Sequence, residues 1–190
     1  MKLTPRMLNH AAFVTHDAAA TVDFYTRVMG MEVASTVIDD RIPSTGDSFP
    51  FLHVFFRMGD GSTVAFFESP GLPEAPKSSH PAYDIFNHFA FQADSVEEVH
   101  RWKDHLVANG VEVRGPVDHE NMWLSIYFHD PNGIRLEVTR PLQEHWNRQS
   151  EKGWKDLDAW NGIKERARRE GKSEKEMLVE WIRERREQHA

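Results

Sequence analysis

The chain has 190 residues, with 23 Lys and Arg against 30 Asp and Glu, a formal net charge of −7 and no cysteine. An acidic chain repels phosphate backbones, which argues against nucleic-acid binding. The lack of cysteine removes disulfides, thiolate metal sites and a cysteine nucleophile together, and fits a reducing cytoplasm.

No run of about 18 apolar residues is present, so no membrane span is expected. The opening Met1-Lys2-Leu3-Thr4-Pro5-Arg6 has no apolar core of the kind a secretory signal needs. Residues 7–15 alternate as a strand, with His10 straight after Asn9. Asp17 is placed to cap a helix over residues 18–29, with Val22, Phe24, Tyr25 and Val28 on its inner side and Gly30 as the stop. Residues 31–38 read as a second strand. Residues 39–50, rich in Asp, Pro, Ser and Gly, read as a loop. Two further strands, residues 51–58 and 63–68, flank the turn Gly59-Asp60-Gly61, and residues 69–81 form a proline-rich connector.

The order then repeats. Residues 87–92 read as a strand with His88 straight after Asn87. Asp94-Ser95 caps a helix over residues 96–109 that Gly110 ends. Val111-Glu112-Val113 parallels Met31-Glu32-Val33, residues 115–121 read as a loop, and strands 122–129 and 134–139 flank Asp130-Pro131-Asn132-Gly133. His10 lies 20 residues before Gly30 and His88 lies 22 before Gly110, so the two halves are in near register. One βαβββ unit cannot cover both faces of its sheet. Two of them, about residues 7–70 and 85–140, predict an α+β fold in which paired modules build a curved mixed sheet around a central cleft.

From residue 141 the strand pattern stops. The 141–190 stretch carries 12 Lys and Arg against 11 Asp and Glu, leaving 11 against 19 in the body, residues 1–140. Helices are expected over residues 141–153, 156–169 and 173–188, with Ser173 and Glu176 as a capping box and Trp154, Leu157, Trp160 and Trp181 among the apolar points of one covered face. This is read as a helical C-terminal extension.

Asn9-His10, Asn87-His88 and Asp130-Pro131-Asn132-Gly133-Ile134-Arg135-Leu136-Glu137 together resemble the vicinal oxygen chelate superfamily. That group includes glyoxalase I, methylmalonyl-CoA epimerase, fosfomycin and bleomycin resistance proteins and type I extradiol dioxygenases. The resemblance covers about residues 7–140 and implies a metal triad of His10, His88 and Glu137. Two imidazoles and a carboxylate suit Fe(II), the first choice, as well as Mn(II), Zn(II) or Ni(II), and leave positions open for substrate. The family has a fourth ligand position on the last strand of the first module. Counting four residues from Gly61, as Glu137 is four from Gly133, reaches Ala65, which cannot ligate. Glu68 is nearby but three residues on, towards the other strand face.

The spacing of His119, Tyr127 and Glu137 is similar to the His…Tyr…Glu order of extradiol dioxygenases. The resemblance implies a proton-transferring histidine at 119 and, at 127, a tyrosine that hydrogen-bonds a substrate oxygen. The upstream acid–base histidine common in those enzymes has only His80 as a counterpart. His16, His53 and His129 carry no motif and read as structural or surface residues. Phe51, Phe55, Phe67, Phe89, Phe91 and Trp123 read as core, with an aromatic pocket as the alternative. The expected function is a metal-dependent ring-cleaving dioxygenase, taking a catechol-like aromatic and O₂ as partners and working as a cytoplasmic homodimer. The alternatives are a lyase or isomerase of the glyoxalase or epimerase kind, with Glu68 as ligand or base, and a non-catalytic module that binds an aromatic ligand.

Overall fold

The computed structural model describes residues 3–76 and 78–188. The first two residues of the opening segment and Lys77 in the predicted connector lie outside these. The first module runs β1 (His10–Thr15), α1 (Ala18–Asp23) continuing into a π-helical turn (Phe24–Val28), β2 (Glu32–Arg41), β3 (Ser48–Arg57) and β4 (Thr63–Glu68). After α2 (Pro81–Phe86) the second module runs β5 (Phe89–Gln92), α3 (Val96–Ala108), β6 (Arg114–Asp118), β7 (Trp123–His129) and β8 (Arg135–Pro141).

Each module makes its own four-stranded sheet, in the orders β1-β4-β3-β2 and β5-β8-β7-β6. In both, the first strand runs parallel to the last and the remaining pairs are antiparallel. The duplication expected from the Asn-His strands is therefore a duplication of topology. The curved sheet consists of two sheets that hydrogen-bond internally.

The period-two alternation of the strands decides where the core lies. Val54 and Phe56 of β3, Val64 and Phe66 of β4, Ile126 and Phe128 of β7, and Leu136 and Val138 of β8 all turn to one buried cluster. Phe24, Tyr25 and Val28 of the first helical segment and Val99 and Leu106 of α3 fill the same cluster, so the two modules share one core. Each such side chain, fully buried, contributes about 1.5–3 kcal/mol.

Polar contacts join the modules as well. The Tyr25 hydroxyl donates to Asp130 Oδ2 at 3.2 Å, and Asn132 Nδ2 donates to Thr21 Oγ1 at 3.1 Å. Asp130 also accepts from the backbone N–H groups of Asn132 and Ile134 at 2.9 and 2.8 Å. The Asp-Pro-Asn-Gly turn thus shapes itself and grips the first module's helix.

The helix starts follow the capping residues. Asp17 accepts from the Ala20 N–H at 2.9 Å, and Ser95 from the Glu98 N–H at 3.1 Å. Several elements depart from the sequence expectation, beginning with β2, which runs on to Arg41, and β3, which starts at Ser48, both inside the 39–50 stretch read as a loop. Residues 111–113 pair with nothing as a strand; the ladder begins only at Arg114, opposite Tyr127, and β6 runs on through residues 115–118 of the stretch read as a loop. Gly115 is the reason a loop-like sequence serves as a strand: its φ is +111°, and a Cβ there would meet the Ser125 carbonyl oxygen at 2.8 Å. The proline-rich connector leads into the short helix α2, with His80 as its cap and Pro81 in its first turn.

The chain divides between Leu142 and Gln143. The C-terminal unit has a 3₁₀ turn (Trp146–Arg148), α4 (Ser150–Glu170) and α5 (Glu174–Glu187). Helices were expected over 141–153 and 156–169. Instead β8 runs to Pro141 and a single helix spans Gly153. A glycine inside a helix costs about 1 kcal/mol relative to alanine. The pairs Lys152–Asp156 and Lys155–Glu151, at 2.6 and 2.7 Å, lie across that turn and offset part of it. Gly171 ends α4 in the left-handed conformation, and Ser173 caps α5 by accepting from the Glu176 N–H at 3.3 Å. Arg185–Asp156 and Arg168–Glu174, each at 2.6 Å, tie α5 to α4. Met177 and Leu178 are buried, whereas Trp154 is 66% exposed. No helix among the described residues is long and apolar enough to cross a membrane.

Candidate metal centre

Because Leu136 and Val138 face the core, Glu137 takes the opposite face of β8. It lies in register with Tyr127 on β7 and Ala90 on β5. His88, just before β5, reaches the same place: its Nε2 is 2.8 Å from Glu137 Oε2, and Glu137 is buried. The other ring nitrogen, Nδ1, is 3.0 Å from the Phe86 carbonyl oxygen. A carbonyl only accepts, so Nδ1 carries the hydrogen, and Nε2 is left either to donate to Glu137 or to offer its lone pair to a cation. A lone pair and a carboxylate oxygen at 2.8 Å need a shared proton or a cation between them. The pair therefore fits a divalent metal, with the tautomer already fixed.

Tyr127 and His119 stand beside this pair. The His119 Nε2 and the Tyr127 hydroxyl are 2.8 Å apart, and the Tyr127 ring meets the His88 ring edge-on at 6.0 Å between centroids. The Arg135 guanidinium lies 4.2 Å from the centre of the Tyr127 ring. Burial, and then the Glu137 carboxylate, raise the Tyr127 pKa, so the phenol keeps its proton at neutral pH and acts as a donor.

His10 occupies the matching place on the first sheet. Its Nδ1 is 2.7 Å from Asn9 Oδ1, which fixes the same tautomer and leaves Nε2 as the lone pair. Among the described residues, however, no three His, Asp or Glu side chains are arranged to hold a metal ion. Within one chain, His88, Glu137, Tyr127 and His119 come together. His10 lies apart from them, exposed beside Phe55 and His53.

The remaining candidates are settled by their contacts. Ala65 is fully buried in β4, opposite Phe55. Glu68 accepts the Ala18 N–H at 3.0 Å and so secures the start of α1. His80 accepts the Ala82 N–H at its Nδ1 and is engaged as a cap. His129 is exposed at the end of β7. Phe89 and Phe91 pack against the core, but Phe51, Phe55 and Phe67 lie on the other face of their sheet.

His53 is the residue that sequence reasoning set aside and the structure brings forward, since it is buried next to His10. Burial, and then His10, lower its pKa. The alternation Phe51-Leu52-His53-Val54-Phe55-Phe56 was the available signal: it puts His53 opposite the core residues Val54 and Phe56.

The model of the Glyoxalase/Bleomycin resistance protein/Dioxygenase superfamily matches residues 7–138. The protein named "Putative ring-cleaving dioxygenase MhqA" of Bacillus subtilis (strain 168) is 25% identical over 137 residues, 70% of this chain. This chain spans only 39% of that relative's length. Among solved structures, a glyoxalase/dioxygenase from Nostoc punctiforme matches with a TM-score of 0.52 at 23% identity, over 75% of this chain and 98% of that one. The fosfomycin resistance protein FosX from Listeria monocytogenes, solved with Mn(II) and sulfate ion, matches with a TM-score of 0.50 at 24% identity, over 72% of this chain and 93% of that one. At these identities the structural likeness is one of fold.

Proposed function

The chain belongs to the Glyoxalase/Bleomycin resistance protein/Dioxygenase superfamily, and from that premise we propose that it is a metal-dependent, extradiol-type dioxygenase that opens the ring of a catechol-like aromatic with O₂. The observation that carries the reading is the pairing of His88 and Glu137 beside the hydrogen-bonded His119 and Tyr127. The lack of a carboxylate at the fourth ligand position supports it: Ala65 stands there, and Glu68 accepts the Ala18 N–H at the start of α1. Likeness to the Bacillus relative points the same way.

His88 and Glu137 hold the metal, with His10 as the third donor. Iron(II) bound there supplies Lewis acidity to two adjacent oxygens and electrons to O₂, and Mn(II), Zn(II) and Ni(II) suit the same donors. The protein's own residues handle the protons. The His119 Nε2 and the Tyr127 hydroxyl share a hydrogen bond, and in the tautomer with its hydrogen on Nδ1 the His119 Nε2 accepts a proton from the incoming diol. Tyr127 then turns its hydrogen to the diol oxygen that has lost its proton. Arg135, over the Tyr127 ring, restricts the phenol's position.

The triad closes between two copies of the chain in a homodimer, with His10 from one and His88 with Glu137 from the other. The test is anaerobic purification, metal analysis, loading with Fe(II) and measurement of O₂ uptake with a panel of catechols. One O₂ consumed per diol, with the absorbance of a ring-opened product, is the expected result. Metal-loaded protein that consumes no O₂ with any catechol overturns the reading.

A further inference from the structure

The first sheet presents an aromatic stripe on the face opposite its core. Phe51, His53 and Phe55 alternate along β3 with the buried Val54 and Phe56, and Phe67 of β4 lies beside them. The rings are in contact. His53 stacks on Phe67 at 3.6 Å between centroids and 18° between planes, and lies 4.1 Å from Phe55, while Phe51 meets Phe67 edge-on at 5.5 Å. His10 adjoins the same stripe, 5.4 Å from Phe55 and 5.9 Å from His53. Arg57, on the same face of β3, is paired with Glu32.

Within this apolar stripe one polar atom is left over. His53 is 8% exposed, and its Nε2 is buried with no hydrogen-bond partner among the described residues. Buried polar side-chain atoms are almost always paired, and an orphan carries a desolvation cost that a ligand can relieve. Packing alone would be served as well by phenylalanine, which already occupies the neighbouring positions 51, 55 and 67.

We infer that the Phe51–His53–Phe55–Phe67 stripe is the wall on which the substrate's ring lies, and that His53 Nε2 hydrogen-bonds an uncharged oxygen substituent on that ring. The inference rests on the reading of the site given above, because His10 next to the stripe is then a metal donor. It narrows the substrate class to catechols that carry a further hydroxyl or carbonyl group outside the chelating pair. The aromatic rings of the wall stack on the substrate ring, and His53 fixes its rotation in the plane.

The experiment compares unsubstituted catechol with catechols bearing one additional hydroxyl or carbonyl substituent. Dissociation constants are read by calorimetry on the intact Zn(II)-loaded protein, and KM and kcat on the Fe(II)-loaded protein. In His53→Phe, which keeps the stacking and removes the nitrogen, affinity for the substituted diols falls about fivefold to tenfold, the loss of one hydrogen bond. Affinity for catechol itself changes less than about twofold on the same argument. His53→Asn restores part of the preference, while metal content and circular dichroism match the wild type in both variants. An equal change for all diols, or none, overturns the inference and leaves the dioxygenase reading intact. Loss of bound metal in His53→Phe overturns it also, since His53 is then a ligand. A wild-type protein that binds no diol in either assay overturns both.

Discussion

At the scale of single residues, the site is a set of fixed tautomers. Asn9 and the Phe86 carbonyl each take the Nδ1 hydrogen of a histidine, and the lone pair is left at Nε2 in both modules. Glu137→Gln keeps the shape of the site but removes the charge, so binding of Zn(II) should weaken at least about tenfold. The rise in melting temperature that Zn(II) gives the wild type should shrink with it, because a ligand stabilises only in proportion to its affinity. In the proposed reaction the metal donors and the proton-transfer groups are separable. Tyr127→Phe and His119→Asn should retain metal and lose about a hundredfold or more in kcat. The two share one hydrogen bond, so the double variant should lose far less than the product of the single losses. Metal analysis beside steady-state kinetics checks both statements.

At the scale of elements, the site depends on how strands and turns are anchored. The Asp130 carboxylate is buried and accepts the Tyr25 hydroxyl from the other module. Tyr25→Phe removes that donor and should cost about 1–2 kcal/mol in urea denaturation. Gly115 lets β6 lie close against β7, where Ser125 and Tyr127 sit. Gly115→Ala forces a Cβ onto the Ser125 carbonyl oxygen and should cost about 1–3 kcal/mol, with the Tyr127 side of the site displaced. In the C-terminal helices, Lys152 and then Arg185 hold the Asp156 carboxyl below its ordinary pKa. A depressed carboxylate stabilises above the unfolded value, and that contribution is lost as pH falls through the lowered one. Circular dichroism on acidification should therefore show these helices weakening below the usual carboxylate range, and Asp156→Asn should flatten that response.

At the scale of the whole molecule, the proposed triad has its members divided between two sheets and so requires two copies of the chain. Copies carrying His10→Ala and copies carrying Glu137→Ala are each expected to lack any complete metal site. When they are co-expressed and mixed dimers are isolated, one of the two sites should be intact, with activity near half that of the wild type. Mixed dimers as inactive as the parents would show that the triad does not close between copies.

The sequence by itself determined the duplicated βαβββ order, the two Asn-His segments, the buried faces of the helices within the two modules and the capping at Asp17, Ser95 and Ser173. These are set by local periodicity and by hydrogen bonds over three or four residues, which a sequence displays directly. The tertiary structure alone decided what meets across distance. It turned Glu68 to the α1 backbone and drew a strand from the stretch around Gly115. It set Tyr25 on Asp130, 105 positions away, and buried His53 between Phe67 and Phe55. None of these is written in a window of neighbours, because each follows from register between strands and from the packing of two sheets onto one core. His10, His88 and Glu137 belong to both accounts: the repeat picks them out as residues, and the fold pairs two of them and holds the third on another sheet.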